Sequence, residues 1–514
     1  MEKKKNDFIA QGSILAVASI LVRVMGMIYR IPMTAIIGDK GNGFYSYAYS
    51  VYTILLLLSS YSLPLAVSKM VSAKAQLGQW RNVKRVFICA IAFAIGIGTT
   101  FGLIVLIGAQ FFTRVFFHSE LAAIALRFMA PTILIMALLG VFRGFFQGLQ
   151  NTLPTAVSQI VEGLINAIMS VVFAYFLFDF GHGMDVASGT TDLGYAWGAA
   201  GGAIGTGAGA LAGLIFCFIL FVAYRKILAV NISRDKTGTQ QEYGDIFRLM
   251  LSIALPVILS TALYNLIELV DGSLFNNIMA SKGMEDVKDS MWGAYNAKAL
   301  LLVHIPVSIS SAMAVSLVPT LTAAYALGDE QTARSKVHAI LRFISILAFP
   351  SAVGLLVLAN PIIKTLFSGD TSAASTYLQV VCPAVITFSF STITNSILQG
   401  IDRMNLPVCH SLIAMAVHVV VLLILCLGFN MGIYGVIISY VIYALVITIL
   451  NFYSISKILE YRPDVIICKA GSCLWNYGHC MLWMLSAAVS VFRKSNSDAD
   501  ICSSSSRCVF CSCS

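Results

Sequence analysis

The chain has 514 residues, of which 58% are hydrophobic and only 11% are charged, and its formal net charge is +9. Soluble domains carry roughly 25% charged residues, so this composition excludes an ordinary soluble protein. The excess of positive charge does not indicate a nucleic-acid partner, because no nucleic-acid-binding motif occurs in the sequence.

Apolar segments long enough to cross a membrane recur along the chain, which predicts an all-α integral membrane protein. We predict twelve transmembrane helices, at residues 8–37, 43–68, 84–112, 121–149, 153–178, 193–224, 247–276, 294–326, 336–362, 375–400, 406–428 and 432–457. The first segment is too long for a cleavable signal peptide, whose apolar region spans roughly 7–15 residues.

The first segment contains two arginines, Arg23 and Arg30, with Gly26 between them. Their spacing of seven residues is nearly two helical turns, so both guanidinium groups are predicted to lie on one helix face. A guanidinium near the bilayer centre costs between ~2.5 and ~17 kcal/mol. We therefore expect the pair to face either partner carboxylates or a water-filled cavity that attracts anions.

Lysine and arginine residues fall mainly on one side of the predicted membrane. The side of the N-terminus receives Lys3, Lys4, Lys5, Lys69, Lys74, Arg81, Lys84, Arg85, Arg225, Lys226, Arg234, Lys236, Arg334, Lys336, Arg403, Lys457 and Arg462. The opposite loops receive Lys40, Arg114, Lys282, Lys288 and Lys364. Basic residues accumulate in cytoplasmic loops, so the N-terminus is predicted to be cytoplasmic.

The chain is predicted to contain two copies of one six-helix unit. Residues 131–154 and 383–407 share a mid-helix proline, a Gln-Gly turn and a proline that opens the next helix. Because six is even, both copies have the same orientation and are expected to enclose a central cavity. This predicts an N-terminal six-helix lobe at 1–228, a cytoplasmic linker at 229–246 and a C-terminal six-helix lobe at 247–467.

Ionisable groups inside membrane spans are candidates for function. Glu162, Glu268 and Asp271 are either groups that couple transport to an ion or charge partners of the arginines. Lys298, early in the eighth span, is either a cavity cation or a lysine that reaches the interface. His304, in the same span, and His418, in the eleventh, are expected to be hydrogen-bonded core groups.

Small residues and absent motifs narrow the function further. Glycine at every fourth position of the sixth span, from Gly201 to Gly213, predicts a ridge for close helix packing. The sequence contains no Walker A loop, HExxH or GxSxG motif. We therefore predict a monomeric protein that is not an enzyme and needs no cofactor, with Na⁺ or H⁺ as the alternatives for a coupling ion.

Three stretches of the first lobe, 23–32, 43–49 and 64–68, resemble the stage V sporulation protein B group. That group belongs to the multidrug/oligosaccharidyl-lipid/polysaccharide (MOP) exporter superfamily, which has a MATE-like fold and includes the lipid II flippases. The resemblance covers residues 1–467. It implies a two-lobe bundle and a flippase or exporter, in the bacterial cytoplasmic membrane, for a lipid-linked cell-wall or polysaccharide precursor, with lipid II as the leading candidate.

In the related lipid II flippases, arginines in the motif Arg-x-x-Gly-x-x-Arg face a cationic cavity that binds the pyrophosphate. Here the motif is Arg23-x-x-Gly26-x-x-x-Arg30, one residue longer. That residue turns the second guanidinium by about 100° relative to the family spacing. The resemblance implies that Arg23, Gly26 and Arg30 bind the headgroup, and that Lys298 supplies a third cation from the eighth span.

Two other functions are open: a MATE-type cation-coupled drug exporter, and a non-transport membrane component of a glycan-synthesis complex. A cation exporter should line its cavity with acidic residues, whereas the first lobe presents arginines. A synthetic component should carry large outer loops, whereas the longest predicted outer loops, 179–192 and 276–293, are short.

Residues 468–514 differ from the rest of the chain, because seven of its twelve cysteines lie there. Their spacing is not a zinc pattern, and a disulfide scaffold is not expected in the cytoplasm. Relatives continue with further apolar spans, so we hypothesise that a change of reading frame near residue 467 produced this tail, which resequencing of the gene tests. Residues 474–492 are a weak candidate for a thirteenth span.

Overall fold

The computed structural model describes residues 18–460 apart from residues 19, 61–62, 239 and 370. All regular elements of these described residues are helices. The cysteine-rich tail at 468–514, with its candidate thirteenth span, lies outside them.

The helices follow one another with short connections. In chain order they are α1 (residues 20–28), α2 (Arg30–Ser59), α3 (Leu63–Gln76), α4 (Trp80–Phe117), α5 (Ala122–Gly148), α6 (Leu153–Ser188), α7 (Leu193–Ser233), α8 (Tyr243–Ser281), α9 (Glu285–Ala294), the π-helical turn π1 (Tyr295–Leu300), α10 (Leu301–Ala326), α11 (Glu330–Val357), α12 (Ala359–Leu366), α13 (Ser372–Val381), α14 (Pro383–Gly400), α15 (Asn405–Leu423), the π-helical turn π2 (Ile424–Gly428) and α16 (Ile433–Leu459).

The described residues contain nine helices long and apolar enough to cross a membrane, or ten if the bent pair α13–α14 forms one span. The predicted count of twelve is consistent with this. The stretch Arg30–Gln76, which counts once, covers the end of the first predicted span and all of the second. It is interrupted at Gly38, whose φ of 61° and ψ of −175° favour glycine. The seventh predicted span lies in α8.

The tenth predicted span, 375–400, corrects one expectation. Pro383 does not lie in mid-helix, because α13 ends at Val381 and α14 begins at Pro383 after a bend of 44°. Pro131, its predicted counterpart, lies inside an unbroken α5. A proline inside a helix removes one backbone hydrogen bond and crowds the preceding turn, and here only the second copy responds with a break.

The helices run alternately between two ends of the bundle. We name them the linker end, which holds the connection between α7 and α8, and the far end, which holds the connection between α8 and α9. In the N-terminal half, α6 and α5 pack on α7, and α4 packs on α5. In the C-terminal half, α10 packs on α14, and α14 and α15 pack on α16.

Helix α8 belongs to the cores of both ends. Near its start, Ile246 and Met250 pack in a linker-end core with residues of the N-terminal half such as Phe87. Near its end, Phe275 and Ile278 pack in the larger core that joins the two halves. The seventh span therefore packs against the N-terminal half near both of its ends.

The connection between the halves is docked on the start of α4. It spans 234–242, a shorter stretch than the predicted linker at 229–246. Asp235 accepts a hydrogen bond from the backbone N–H of Arg81 at 2.9 Å, and Arg85 donates to a carbonyl oxygen of the linker at 2.6 Å. The hydrogen bond from Arg81, with two from Thr237, holds the pKa of Asp235 at about 2, below its usual range.

The glycine ridge of α7 packs directly on α6. A Cβ added at Gly201 would meet α6 backbone, and one added at Gly205 would meet Ser170. At Gly209 it would meet the carbonyl oxygen of Glu162. The ridge therefore lets two long helices approach at the distance of their backbones.

We predict that Gly205→Ala lowers the midpoint of thermal unfolding in detergent, because the added methyl group overpacks the α6–α7 interface by about 1–3 kcal/mol. Gly183→Ala is the matched control, since a Cβ at this α6 position meets nothing within 4 Å. The control should unfold at the wild-type temperature or above, because alanine favours helix over glycine. Equal midpoints for the two variants would contradict this packing.

Candidate functional site: a cavity between the two halves

A cavity of about 430 Å³ lies between the two halves of the chain. Its wall in the N-terminal half comes from α1 and α2, and its wall in the C-terminal half comes from α8 to α10, α14 and α16. This volume is within the range of roughly 300–1,000 Å³ found for small-ligand sites. Because both halves contribute, a movement of one half against the other would change access to the cavity.

Arg23 and Arg30 both line this cavity, the first exposed to it and the second half-buried. The helix continues between them, since the backbone N–H of Tyr29 donates to the carbonyl oxygen of Met25 at 3.2 Å. A Cβ at Gly26 would meet nothing within 4 Å, and Gly26 itself is outside the cavity lining. The residue added relative to the family spacing does not turn Arg30 away from the cavity.

The two guanidinium groups form no ion pair with any carboxylate in the described part of the chain. Glu162, one predicted partner, lies 2.7 Å from Arg143 and outside the cavity lining. Asp271, the other predicted partner, lines the cavity but binds the imidazole of His418 at 2.5 Å. The arginines are therefore left with the cavity itself.

Arg30 lies among aromatic rings and one carboxylate. The rings of Tyr45 and Tyr49 stack with centroids 5.8 Å apart and line the cavity with it. Glu268 lines the same cavity and lies within electrostatic reach of Arg30. Arg30 therefore lines the cavity together with two tyrosine rings and with one carboxylate that forms no ion pair with it.

Lys298 lies outside the cavity lining, although its neighbours Tyr295 and Asn296 are part of it. Its ammonium group binds Asp39 of α2 at 2.7 Å, and its side chain is nearly fully buried. The turn π1 has more residues per turn than an α-helix, so it rotates side chains relative to an α-helical pattern. The eighth span instead presents His304 to the cavity, where this histidine is exposed rather than part of the core.

A buried polar cluster joins the two halves at the far end of the cavity, and we name it the far-end cluster. The hydroxyl of Tyr47 lies 2.7 Å from Asn276 Oδ1 and 3.1 Å from Asp289 Oδ1, and it donates a hydrogen bond to one of these two oxygens. The ammonium group of Lys288 donates to Asp289 at 3.0 Å and to the carbonyl oxygen of Phe117 at 3.1 Å. The cluster links α2 and α4 to α8 and α9.

The structure thus brings four of the predicted site residues, Arg23, Arg30, Glu268 and Asp271, to one cavity. Glu162 and Lys298 lie elsewhere, in pairs between helices, and Gly26 is also outside the cavity lining. The far-end cluster was not predicted, because Asn276, Lys288 and Asp289 lie in the predicted outer loop 276–293, which looked short and featureless in sequence.

The polysaccharide biosynthesis protein family matches residues 8–324 of the chain, and the MatE family matches residues 256–424. The chain belongs to the polysaccharide biosynthesis protein family. This confirms the predicted place in the MOP superfamily of flippases and transporters, and with it a multi-pass protein of the lipid bilayer.

Two proteins of Bacillus subtilis (strain 168) are similar to the chain over most of their length. Lipid II flippase MurJ is 26% identical over 423 residues, which cover 79% of this chain and 75% of that protein. Stage V sporulation protein B is 24% identical over 460 residues, which cover 88% and 85% respectively.

Solved structures confirm the predicted MATE-like fold. An inward-facing multidrug resistance MATE family transporter of the MOP superfamily matches with a TM-score of 0.67 at 16% identity, covering 86% of this chain and 98% of that chain. A MOP superfamily transporter from Pyrococcus furiosus, described as having a binding pocket of reverse polarity, matches with a TM-score of 0.58 at 17% identity, covering 88% and 95%.

We predict that Glu162→Ala lowers the stability of the protein rather than its affinity for a ligand of the cavity. Removing the carboxylate leaves the largely buried Arg143 without its partner, at a cost of about 1–3 kcal/mol. The measurement is the unfolding midpoint in detergent, and the double variant Arg143→Leu/Glu162→Leu should recover part of the loss.

The matched control is Glu330→Ala, which removes an exposed partner of Arg334 on α11 and should change stability by about 0.5 kcal/mol or less. A Glu162→Ala protein as stable as the control would show that the pair with Arg143 is not structural.

Proposed function

We propose that this protein is a flippase that moves a lipid-linked glycan diphosphate, with lipid II as the leading candidate, across the bacterial cytoplasmic membrane. The observation that supports it most is the cavity position of Arg23 and Arg30 without a partner carboxylate among the described residues. Guanidinium groups bind phosphate oxygens through bidentate, charge-assisted hydrogen bonds. A diphosphate would supply the direct ion pair that no described carboxylate forms with these arginines.

Alternating access is the mechanism that this arrangement favours. The far-end cluster joins the halves on one side of the cavity, so the headgroup would enter from the other side while the lipid tail stays in the bilayer. Export would require the far-end cluster to separate and the linker-end faces to close. We propose that the N-terminus and the linker end are cytoplasmic, since the basic residues accumulate there.

Glu268 and Asp271 are our candidates for coupling the movement to Na⁺ or H⁺. Both line the same cavity as the arginines, and Asp271 binds His418 of α15. Binding of a cation or a proton at these carboxylates would change their interactions with Arg30 and His418. That change is one route by which an ion gradient would bias the movement of the halves.

A cation exporter is the second candidate, because two carboxylates line the cavity. The surroundings of these carboxylates disfavour it: Asp271 is bound to His418, and Glu268 lies within electrostatic reach of Arg30. Arg23 forms no ion pair with a carboxylate of the described residues. An organic cation would therefore meet a wall that already carries positive charge.

We predict that Arg23→Ala and Arg30→Ala each slow lipid II translocation about tenfold or more, because each removes a charge-assisted contact worth about 1.5–3 kcal/mol. The assay measures translocation in cells depleted of their own flippase and complemented with this chain. Arg127→Ala is the matched control, since this arginine of α5 is exposed and outside the cavity lining.

Full complementation by the Arg23→Ala/Arg30→Ala double variant would contradict the proposed role of the arginines. Efflux of a fluorescent organic cation, measured in the same cells, separates the two candidate functions. A cation exporter would show efflux that survives both arginine substitutions and is lost in Glu268→Gln.

A further inference from the structure

The cavity wall of the C-terminal half contains three hydrogen-bond donors that no other described residue satisfies. They are the indole Nε1 of Trp292, the hydroxyl of Tyr295 and the amide Nδ2 of Asn296. All three residues line the cavity, and Trp292 and Tyr295 are only 1% and 2% exposed. Buried donors without a partner are rare, because the loss of hydration is not compensated. Three in consecutive turns of one wall indicate a ligand that accepts their hydrogen bonds.

The turn π1 carries two of these donors, Tyr295 and Asn296, directly after Trp292 at the end of α9. Its extra residue per turn lets the consecutive residues Tyr295, Asn296 and Ala297 all line the cavity. On the other side of the same turn, Lys298 is held by Asp39 at 2.7 Å. A π-helical turn interrupts the regular hydrogen bonding of an α-helix and occurs frequently at functional sites. Here it is anchored on one side and presents polar groups on the other.

The donors lie among aromatic rings. The rings of Trp292 and Tyr295 are 5.9 Å apart at an angle of 67°, and the cavity-lining rings of Phe388 and Tyr440 stack at 4.4 Å. A sugar ring has two weakly polar faces and a rim of hydroxyl or acetamido groups. Aromatic rings pack well on the weakly polar faces of a sugar, and N–H and O–H donors form hydrogen bonds with the oxygen atoms on its rim.

We propose that Trp292, Tyr295 and Asn296 form a glycan-binding subsite, which holds the sugar attached to the diphosphate while the arginines hold the diphosphate. This subsite rests on the proposed function and adds the part of the substrate that a bare diphosphate lacks. Arg30, Tyr295 and Asn296 all line the same cavity of about 430 Å³. The two subsites are therefore neighbours, as a sugar joined directly to a diphosphate requires.

The test measures binding of two lipids to the purified full-length protein in detergent: undecaprenyl diphosphate, and the same lipid carrying one N-acetylhexosamine. Wild type should bind the glycosylated lipid more tightly. Tyr295→Phe and Asn296→Leu should each weaken binding of the glycosylated lipid about two- to tenfold, the effect of one lost hydrogen bond. Both variants should bind undecaprenyl diphosphate like wild type.

Two variants serve as controls. Tyr377→Phe removes the hydroxyl of a buried tyrosine outside the cavity lining and should leave both affinities unchanged. Arg23→Ala should weaken the binding of both lipids. Thermal unfolding of the ligand-free protein is a second measurement. Ligand-free Tyr295→Phe should be at least as stable as wild type, because the substitution removes a buried donor without a partner. If the hydroxyl were purely structural, the variant would be less stable.

The subsite is overturned if Tyr295→Phe and Asn296→Leu bind both lipids with wild-type affinity. It is also overturned if these substitutions lower the affinity for both lipids equally. The subsite also fails, with the proposed function intact, if wild type binds the two lipids equally. If wild type binds neither lipid, the proposed function fails and the subsite with it. A lower stability of ligand-free Tyr295→Phe would show that the Tyr295 hydroxyl stabilises the fold and does not wait for a ligand.

Discussion

A guanidinium group inside a membrane-spanning helix must be hydrated or meet an anion, and the rest of this structure depends on that requirement. Arg23 and Arg30 meet it by lining a cavity between the two halves of the chain. Four other pairs of charged or ionisable side chains are partly or fully buried in the described helices: Arg143–Glu162, Lys288–Asp289, Lys298–Asp39 and Asp271–His418. All of these except Lys288–Asp289 join two different helices, and the two arginines that are left without a carboxylate define the site.

The paired charges also decide where the halves are joined. The far-end cluster and the Lys298–Asp39 pair both cross from one half to the other near α9 and π1. The same short segment thus carries the closure of the far end and the unpartnered donors of the cavity wall. A substrate held at π1 would act on the elements that must separate for its release, which couples recognition to the conformational change.

Sequence alone revealed residues that are unusual inside a membrane-spanning helix, either because they are charged or because they interrupt the helix. The arginines of the first span stood out because they are costly in lipid, and the repeat was visible because proline and glycine mark helix boundaries. The resemblance to the lipid II flippases places Lys298 in the cavity, but here the chain forms π1 and Lys298 binds Asp39 instead. Tyr295 and Asn296 gave no signal, since nothing in the sequence shows that a donor lacks a partner. The pair Lys288–Asp289 resembled ordinary loop residues until α9 buried it.

The most direct measurement is a cryo-EM structure of the full-length protein with bound undecaprenyl diphosphate. The proposal predicts phosphate density between the two helical turns that carry Arg23 and Arg30, with guanidinium nitrogens about 2.7–3.2 Å from phosphate oxygens. Phosphate density outside the cavity, with the arginines turned toward Glu268 or another carboxylate, would contradict it.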